Sequence, residues 1–139
     1  MSENVAPGKL PKPTASELRI LQHLWKEGPS TVREVHRSLG GYENVSYTTI
    51  LKQLQIMHEK GLVSREASGK AHRYRAETSR DETQRSMLDD FVQRVYHGSA
   101  SELVVQALGM SKPASKKELA EIEELLATIK KRGDSGGNT

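Results

Sequence analysis

Cysteine is missing from all 139 residues, and that one absence removes disulfides, zinc fingers, iron–sulfur clusters and thiol chemistry together. Aromatics are nearly as scarce, with one Trp, one Phe and four Tyr making 4% of the chain. Leu, Val and Ile must therefore build the core, and so small a core commonly leans on a second subunit. No apolar run approaches the roughly 18 residues of a membrane span, so no membrane insertion is expected. Met1–Pro13 lacks the apolar stretch of a secretory signal, which predicts a cytoplasmic protein.

Catalytic sets are absent too. The histidines (His23, His36, His58, His72 and His97) show no metal-ligand spacing with one another or with a carboxylate. Asp89-Asp90 and Glu123-Glu124 are adjacent pairs that a helix turns to different faces, which does not suit shared acid–base work. There is no G-x-S-x-G, G-x-G-x-x-G or phosphate-cradling glycine loop. No catalytic residue, metal or cofactor is expected.

Positive charge is present and unevenly spread. The net charge is +3, with 12 Lys/Arg against 8 Asp/Glu in residues 1–79 and 9 against 10 in residues 80–139. Residues 46–75 alone hold Lys52, Lys60, Arg65, Lys70, Arg73 and Arg75 against Glu59 and Glu66. Such a segment suits a polyanion partner, and equally a solvated basic face.

Periodicity supplies the architecture. Residues 1–13, with Pro7, Pro11 and Pro13, read as a flexible arm. Thr14-x-x-Glu17 is a capping box opening a helix with Leu18, Leu21, Leu24 and Trp25 on one face, ended by Gly28-Pro29. Thr31-x-x-Glu34 opens a second helix with Val32, Val35 and Leu39, stopped by Gly40-Gly41. A third begins at Ser46, buries Ile50, Leu51, Leu54 and Met57, and stops at Gly61. Residues 62–66 and 71–75 flank Ser68-Gly69 as a hairpin, with Tyr74 inward. Three helices followed by a basic hairpin predict a winged helix-turn-helix over residues 14–78.

Residues 79–132 read as a helical dimerisation domain. Met87, Leu88, Phe91, Val92 and Val95 make one stripe, Leu103, Val104, Val105 and Leu108 a second, and Leu119, Ile122, Leu125, Leu126 and Ile129 a third. Pro113 breaks the chain before the Ser115-x-x-Glu118 capping box of the third helix. Three such stripes in so few residues resemble half of a dimer core, with Leu88, Phe91, Val92, Val95, Leu103, Val104, Leu119, Ile122 and Leu126 as its contacts. Residues 133–139 are expected to be a disordered tail. The fold class is thus mainly α with a small β-hairpin wing.

A recognition helix presents its N-terminal residues to base edges in the major groove. Ser46 caps it, Tyr47 opens it, and Thr48, Thr49, Lys52 and Gln53 are left outward. Threonine can meet thymine methyls, glutamine adenine, and lysine guanine or phosphate. In the wing, Arg65, Lys70, Arg73 and Arg75 would meet phosphates or the minor groove, fixing register rather than sequence.

These segments resemble the BlaI/MecI/CopY repressor family over about residues 14–130. The resemblance runs through Thr14-Ala-Ser-Glu17-Leu18, Leu24-Trp25, Thr31-Val32-Arg33-Glu34-Val35, Tyr47-Thr48-Thr49-Ile50, Lys60-Gly61-Leu62-Val63, Ala71-His72-Arg73-Tyr74, Val95-Tyr96-His97-Gly98 and Leu103-Val104. It implies a homodimeric repressor on a double-stranded DNA operator with TACA/TGTA half-sites. Thr48 and Thr49 would read bases, with Lys52 and the wing cations on the backbone. It also implies a membrane sensor-protease that relieves repression by cleaving an Asn-Phe bond in the dimerisation region. Here that position carries Gln106-Ala107, and the cysteine cluster of the family's copper-sensing branch is absent, so the inducer stays open. Two alternatives stand beside this reading: a ligand-responsive MarR-like regulator, and a winged-helix assembly module without DNA.

Overall fold

The computed structural model describes residues 10–110 and 115–136. In chain order the elements are α1 (Ala15–Glu27), α2 (Val32–Glu43), α3 (Tyr47–Lys60), β1 (Val63–Ser68), β2 (Ala71–Ala76), α4 (Arg80–Val95), α5 (Ala100–Met110) and α6 (Lys116–Gly136). All three capping boxes form. Thr14 and Glu17, Thr31 and Glu34, and Ser115 and Glu118 each exchange two backbone–side-chain hydrogen bonds of 2.9–3.2 Å. A fourth, between Ser79 and Glu82, opens α4. The sequence pattern missed it because no apolar run follows it directly.

Gly61 ends α3 at φ 85, donating to the His58 carbonyl while Leu62 donates to that of Met57. This pairing reverses the chain into the wing. Gly40-Gly41, in contrast, does not stop α2, which continues to Glu43 and turns at Asn44, φ 55. A mid-helix glycine costs about 1 kcal/mol but keeps both backbone hydrogen-bonding groups. Asn44 adopts the left-handed conformation that a stop requires. For the same reason α6 runs through Gly133 to Gly136, past the expected start of the tail. Residues 137–139, the Pro113 break and most of the N-terminal arm lie outside the described residues.

The core is shared by every element of the winged helix. Ile20, Leu21 and Leu24 of α1, Val32 and Val35 of α2, Ile50, Leu54 and Met57 of α3, and Leu62, Val63 and Tyr74 of the hairpin are buried together. Leu18, Trp25 and Leu51 are only half-buried, and Ile20 takes the place expected for Leu18. β1 and β2 pair antiparallel from Val63↔Ala76 to Ser68↔Ala71. Their two-residue loop places Gly69 at φ 66, the positive φ that so tight a hairpin needs. Ser30 exchanges two backbone hydrogen bonds with Tyr74, at 3.0 and 2.8 Å, and so adds a one-residue third strand beside β2.

Two compact units result, one ending at His97 and the other beginning at Gly98. The sequence placed that boundary at 78/79. The difference is α4, which is tied to the N-terminal unit. Trp25 donates its indole N–H to the Thr78 carbonyl at 2.9 Å, the Thr78 and Thr83 hydroxyls meet at 2.8 Å, and Lys12 pairs with Asp90 at 2.7 Å. Thr83, Ser86 and Val92 are buried. Successive positive φ values at His97 (51) and Gly98 (86) mark the break. The second unit consists of α5 and α6.

Candidate nucleic-acid interface

Residues 44–46 join α2 to α3. Within this turn Ser46 caps α3, its Oγ accepting the Thr49 N–H at 3.2 Å and lying 3.0 Å from the Thr49 hydroxyl. From α2, His36 places Nε2 2.9 Å from the Val45 carbonyl and meets the Tyr47 ring edge-on at 6.0 Å. The first turn of α3 thus leaves the protein with its orientation set from both sides. Its free N–H groups and the helix dipole favour a phosphate there.

Ile50, Leu54 and Met57 hold one face of α3 in the core. Ser46, Tyr47, Thr48, Thr49 and Lys52 are exposed as expected. Thr48, Lys52, Gln55 and Glu59 follow one another down the outermost side at helical spacing, all exposed. Gln53 departs from that row. It is half-buried and lines a cavity of about 190 Å³ between α1, α2 and α3, with Arg19 and Thr49. Sequence reasoning missed Gln55 and Ile56, the latter 40% exposed although apolar. Extending the outward face beyond the second turn would have found Gln55. No local signal marks His36, whose partners lie nine and eleven positions on.

The hairpin divides its basic residues. Arg65 and Lys70 are exposed, Arg65 on the strand and Lys70 at the tip of the wing. Arg75 is exposed and donates to Ser64 Oγ across the pair at 3.3 Å. Arg73 instead turns towards α2, donating to the Pro29 carbonyl at 3.3 Å and to Glu34 at 3.4 Å. The Thr31 backbone N–H, and secondarily the Arg73 guanidinium, hold the Glu34 carboxyl below its usual range. Arg73 is therefore half-buried beside the helix pair, while Arg65, Lys70 and Arg75 form the outward basic set. Tyr74, 2% exposed, packs inward as the alternation required.

The residues expected at a dimer contact separate in the same way. Leu88, Phe91, Val95, Val104, Leu119 and Leu126 are exposed, and Leu103 and Ile122 are half-buried. Val92 differs from them in being already buried in its own chain. The 11 residues of α5 include none that is buried, although Leu103, Val104, Val105, Leu108 and Met110 are apolar.

Among the described residues no group of three or more His, Asp or Glu side chains is arranged to hold a metal ion. No described helix is long and apolar enough to cross a membrane.

The profile of the penicillinase repressor family matches residues 13–128. The transcriptional regulator BlaI of Mycobacterium tuberculosis is 34% identical over 113 residues, which span 77% of this chain and 82% of that protein. Among solved structures, the DNA-binding domain of the repressor BlaI aligns with a TM-score of 0.48 and 23% identity, covering 53% of this chain and 90% of that one. The transcriptional regulator Tm0710 of Thermotoga maritima aligns with a TM-score of 0.46 and 19% identity, covering 86% and 78%. The chain belongs to the penicillinase repressor family, whose members are transcriptional regulators and not enzymes, and its N-terminal unit is a winged helix.

Proposed function

We propose that the protein is a cytoplasmic homodimeric repressor that occludes a promoter by binding a palindromic operator with TACA/TGTA-type half-sites. The observation that carries this reading is the exposed polar face of α3, beginning at a capped helix N-terminus and flanked by the basic wing. Thr48 and Thr49 read base edges in the major groove, with Lys52 on guanine or phosphate and Arg65, Lys70 and Arg75 on the backbone. Two-fold symmetry sets the half-sites one helical turn, or a small multiple of it, apart.

Dimerisation is supported by α5, which has no buried residue in the single chain despite its apolar composition. Relief of repression by a membrane sensor-protease places the cut at Gln106-Ala107, near the middle of that helix. A protease needs extended backbone, and α5 gives up little of its own chain's packing when it opens. The ligand-responsive alternative finds one feature in its favour, a groove of about 760 Å³ lined by Leu18, Trp25 and Met87 with Lys26 and Arg80 at hand. A thermal shift across a metabolite panel decides that point.

The test of repression is a gel shift of the protein on its own promoter region, titrated with salt and nonspecific competitor. The expected result is a discrete, competitor-resistant complex that loses about 10³–10⁵ in affinity between 50 and 200 mM salt. A complex abolished by nonspecific DNA, or indifferent to salt, would leave the winged helix as a protein-assembly module.

A further inference from the structure

The connection between α2 and α3 is only residues 44–46, and its conformation determines how the recognition helix leaves the body of the fold. Packing of Val35 against Ile50 and Leu54 fixes the two helix axes in the core. It does not fix the first turn of α3, where Ser46, Tyr47, Thr48 and Thr49 are all exposed. Val45 packs against the core just before that turn, and the exposed residues that follow it need a further hold.

His36 meets the requirement with two contacts from one half-buried ring. Its Nε2 lies 2.9 Å from the Val45 carbonyl, immediately before the capping Ser46. A carbonyl only accepts, so Nε2 carries the proton and donates. The same ring meets Tyr47, the first residue of α3, at 6.0 Å and 77°, the edge-to-face arrangement that aromatic quadrupoles favour. Tyr47 remains 44% exposed, so its ring is held on one side and open on the other. A tyrosine hydroxyl at the start of a recognition helix can donate to a backbone phosphate, and that contact sets the register in which later residues meet the bases.

We propose that His36 is a positioning residue of the operator interface, acting through Tyr47 and the Val45 carbonyl to set the first turn of α3 and with it the discrimination between operator and other DNA. The inference rests on the repressor reading above and adds a residue on the preceding helix. His36 touches no base. Its removal leaves the core packing of α2 and α3 in place and releases only the orientation of the helix start.

The experiment compares wild type, His36→Leu, His36→Gln, Tyr47→Ala and the His36→Leu/Tyr47→Ala pair on two duplexes. One carries two TACA/TGTA half-sites, and the other is scrambled with the same composition. Thermal melting of each variant runs alongside. His36→Leu should lose about tenfold in affinity for the half-site duplex while changing the scrambled duplex by less than about twofold. His36→Gln, whose amide can still donate to Val45, should recover most of that loss. The losses in the double variant should fall short of additive, because part of the effect of His36 passes through Tyr47 while the Val45 contact is separate. If His36→Leu does not fold, His36→Phe, which keeps the ring edge and lacks the donor, takes its place. Equal losses on both duplexes, or full additivity in the pair, overturn the proposal with the repressor reading intact. A wild type that fails to separate the two duplexes overturns both.

Discussion

Glu17 shows how much one side chain can do at this scale. It is 5% exposed, and its Oε1 accepts both the Thr14 backbone N–H at 3.0 Å and the Lys60 ammonium at 2.7 Å. The first bond closes the cap of α1, and the second ties α1 to the end of α3. Glu17→Ala removes the buried oxygen that accepts both bonds, and should cost about 2–3 kcal/mol of unfolding free energy in a urea titration. Glu17→Gln keeps an acceptor for the cap and should cost about 1 kcal/mol. An equal loss in the two variants would mean that the cap acceptor contributes nothing and that the charge pairing with Lys60 carries the whole effect. His23 makes a pH prediction. Burial lowers its pKa below the ordinary 6.5, against the opposing pull of Glu27 and Glu34 and assisted by Lys26. Its ring is 3.0 Å from the Ser30 hydroxyl beside the third-strand bridge. Between its folded value and 6.5 the unfolded chain binds more protons at His23, so stability rises with pH across that window. It is fully present above 6.5 and declines as pH falls towards the folded value. Glu34 and Asp90, both lowered, lose their contributions only further down, as pH falls through the carboxylate range. Urea midpoints from about pH 5 to 7 should therefore slope upward in wild type and flatten in His23→Gln. An unchanged slope would assign the dependence to another histidine.

At the scale of the element, the recognition helix and the wing should fail in different ways. Lys70→Ala removes a phosphate partner from each wing tip, and should weaken all duplexes alike and reduce the salt slope by about one for each bound subunit. Arg73→Ala should leave that slope unchanged and lower stability instead, because Arg73 joins β2 to Pro29 and Glu34. A gel-shift salt series on the two variants separates these outcomes, and a full unit of slope lost in Arg73→Ala would return it to the DNA. The contrast shows what was legible in the sequence. The starts of α1, α2, α3 and α6, the hairpin and the inward Tyr74 follow from interactions within a few residues, namely caps and alternation, and they stand where the pattern put them. The partner of Arg73, the half-buried position of Gln53 and the contacts of His36 depend on elements that the fold brings together, and no periodicity encodes them. Helix ends were the other weakness. Gly40 and Gly133 read as stops because glycine weakens helices, yet a continuing hydrogen-bond ladder outweighs a penalty of about 1 kcal/mol.

For the whole molecule the apolar surface is decisive. Val105 and Met110 of α5 are 71% and 80% exposed, and Leu119, Leu125, Leu126 and Ile129 of α6 are exposed as well. Leu88, Phe91 and Val95 add an apolar edge to α4. So many exposed apolar side chains are uncommon on monomers, and in the proposed dimer a second copy covers those of α5 and α6. Replacing a leucine in such a contact with glutamate buries a charge in the paired state and leaves the single chain unaffected, since Leu126 is exposed there. Leu126→Glu should therefore shift sedimentation at micromolar concentrations from dimer to monomer. The melting temperature of wild type should rise with concentration, and that of the variant should not. Operator binding adds a consequence that stability alone does not. A dimer places its second recognition helix beside the second half-site at an effective concentration near the millimolar range, so losing the dimer should cost about 10²–10⁴ in affinity for a two-half-site duplex. Binding to a single half-site should remain within about twofold of wild type, because the winged helix is complete within the N-terminal unit. A wild type that sediments as a monomer at concentrations where it saturates the operator would remove the dimer from the mechanism, and each winged helix would then have to bind on its own.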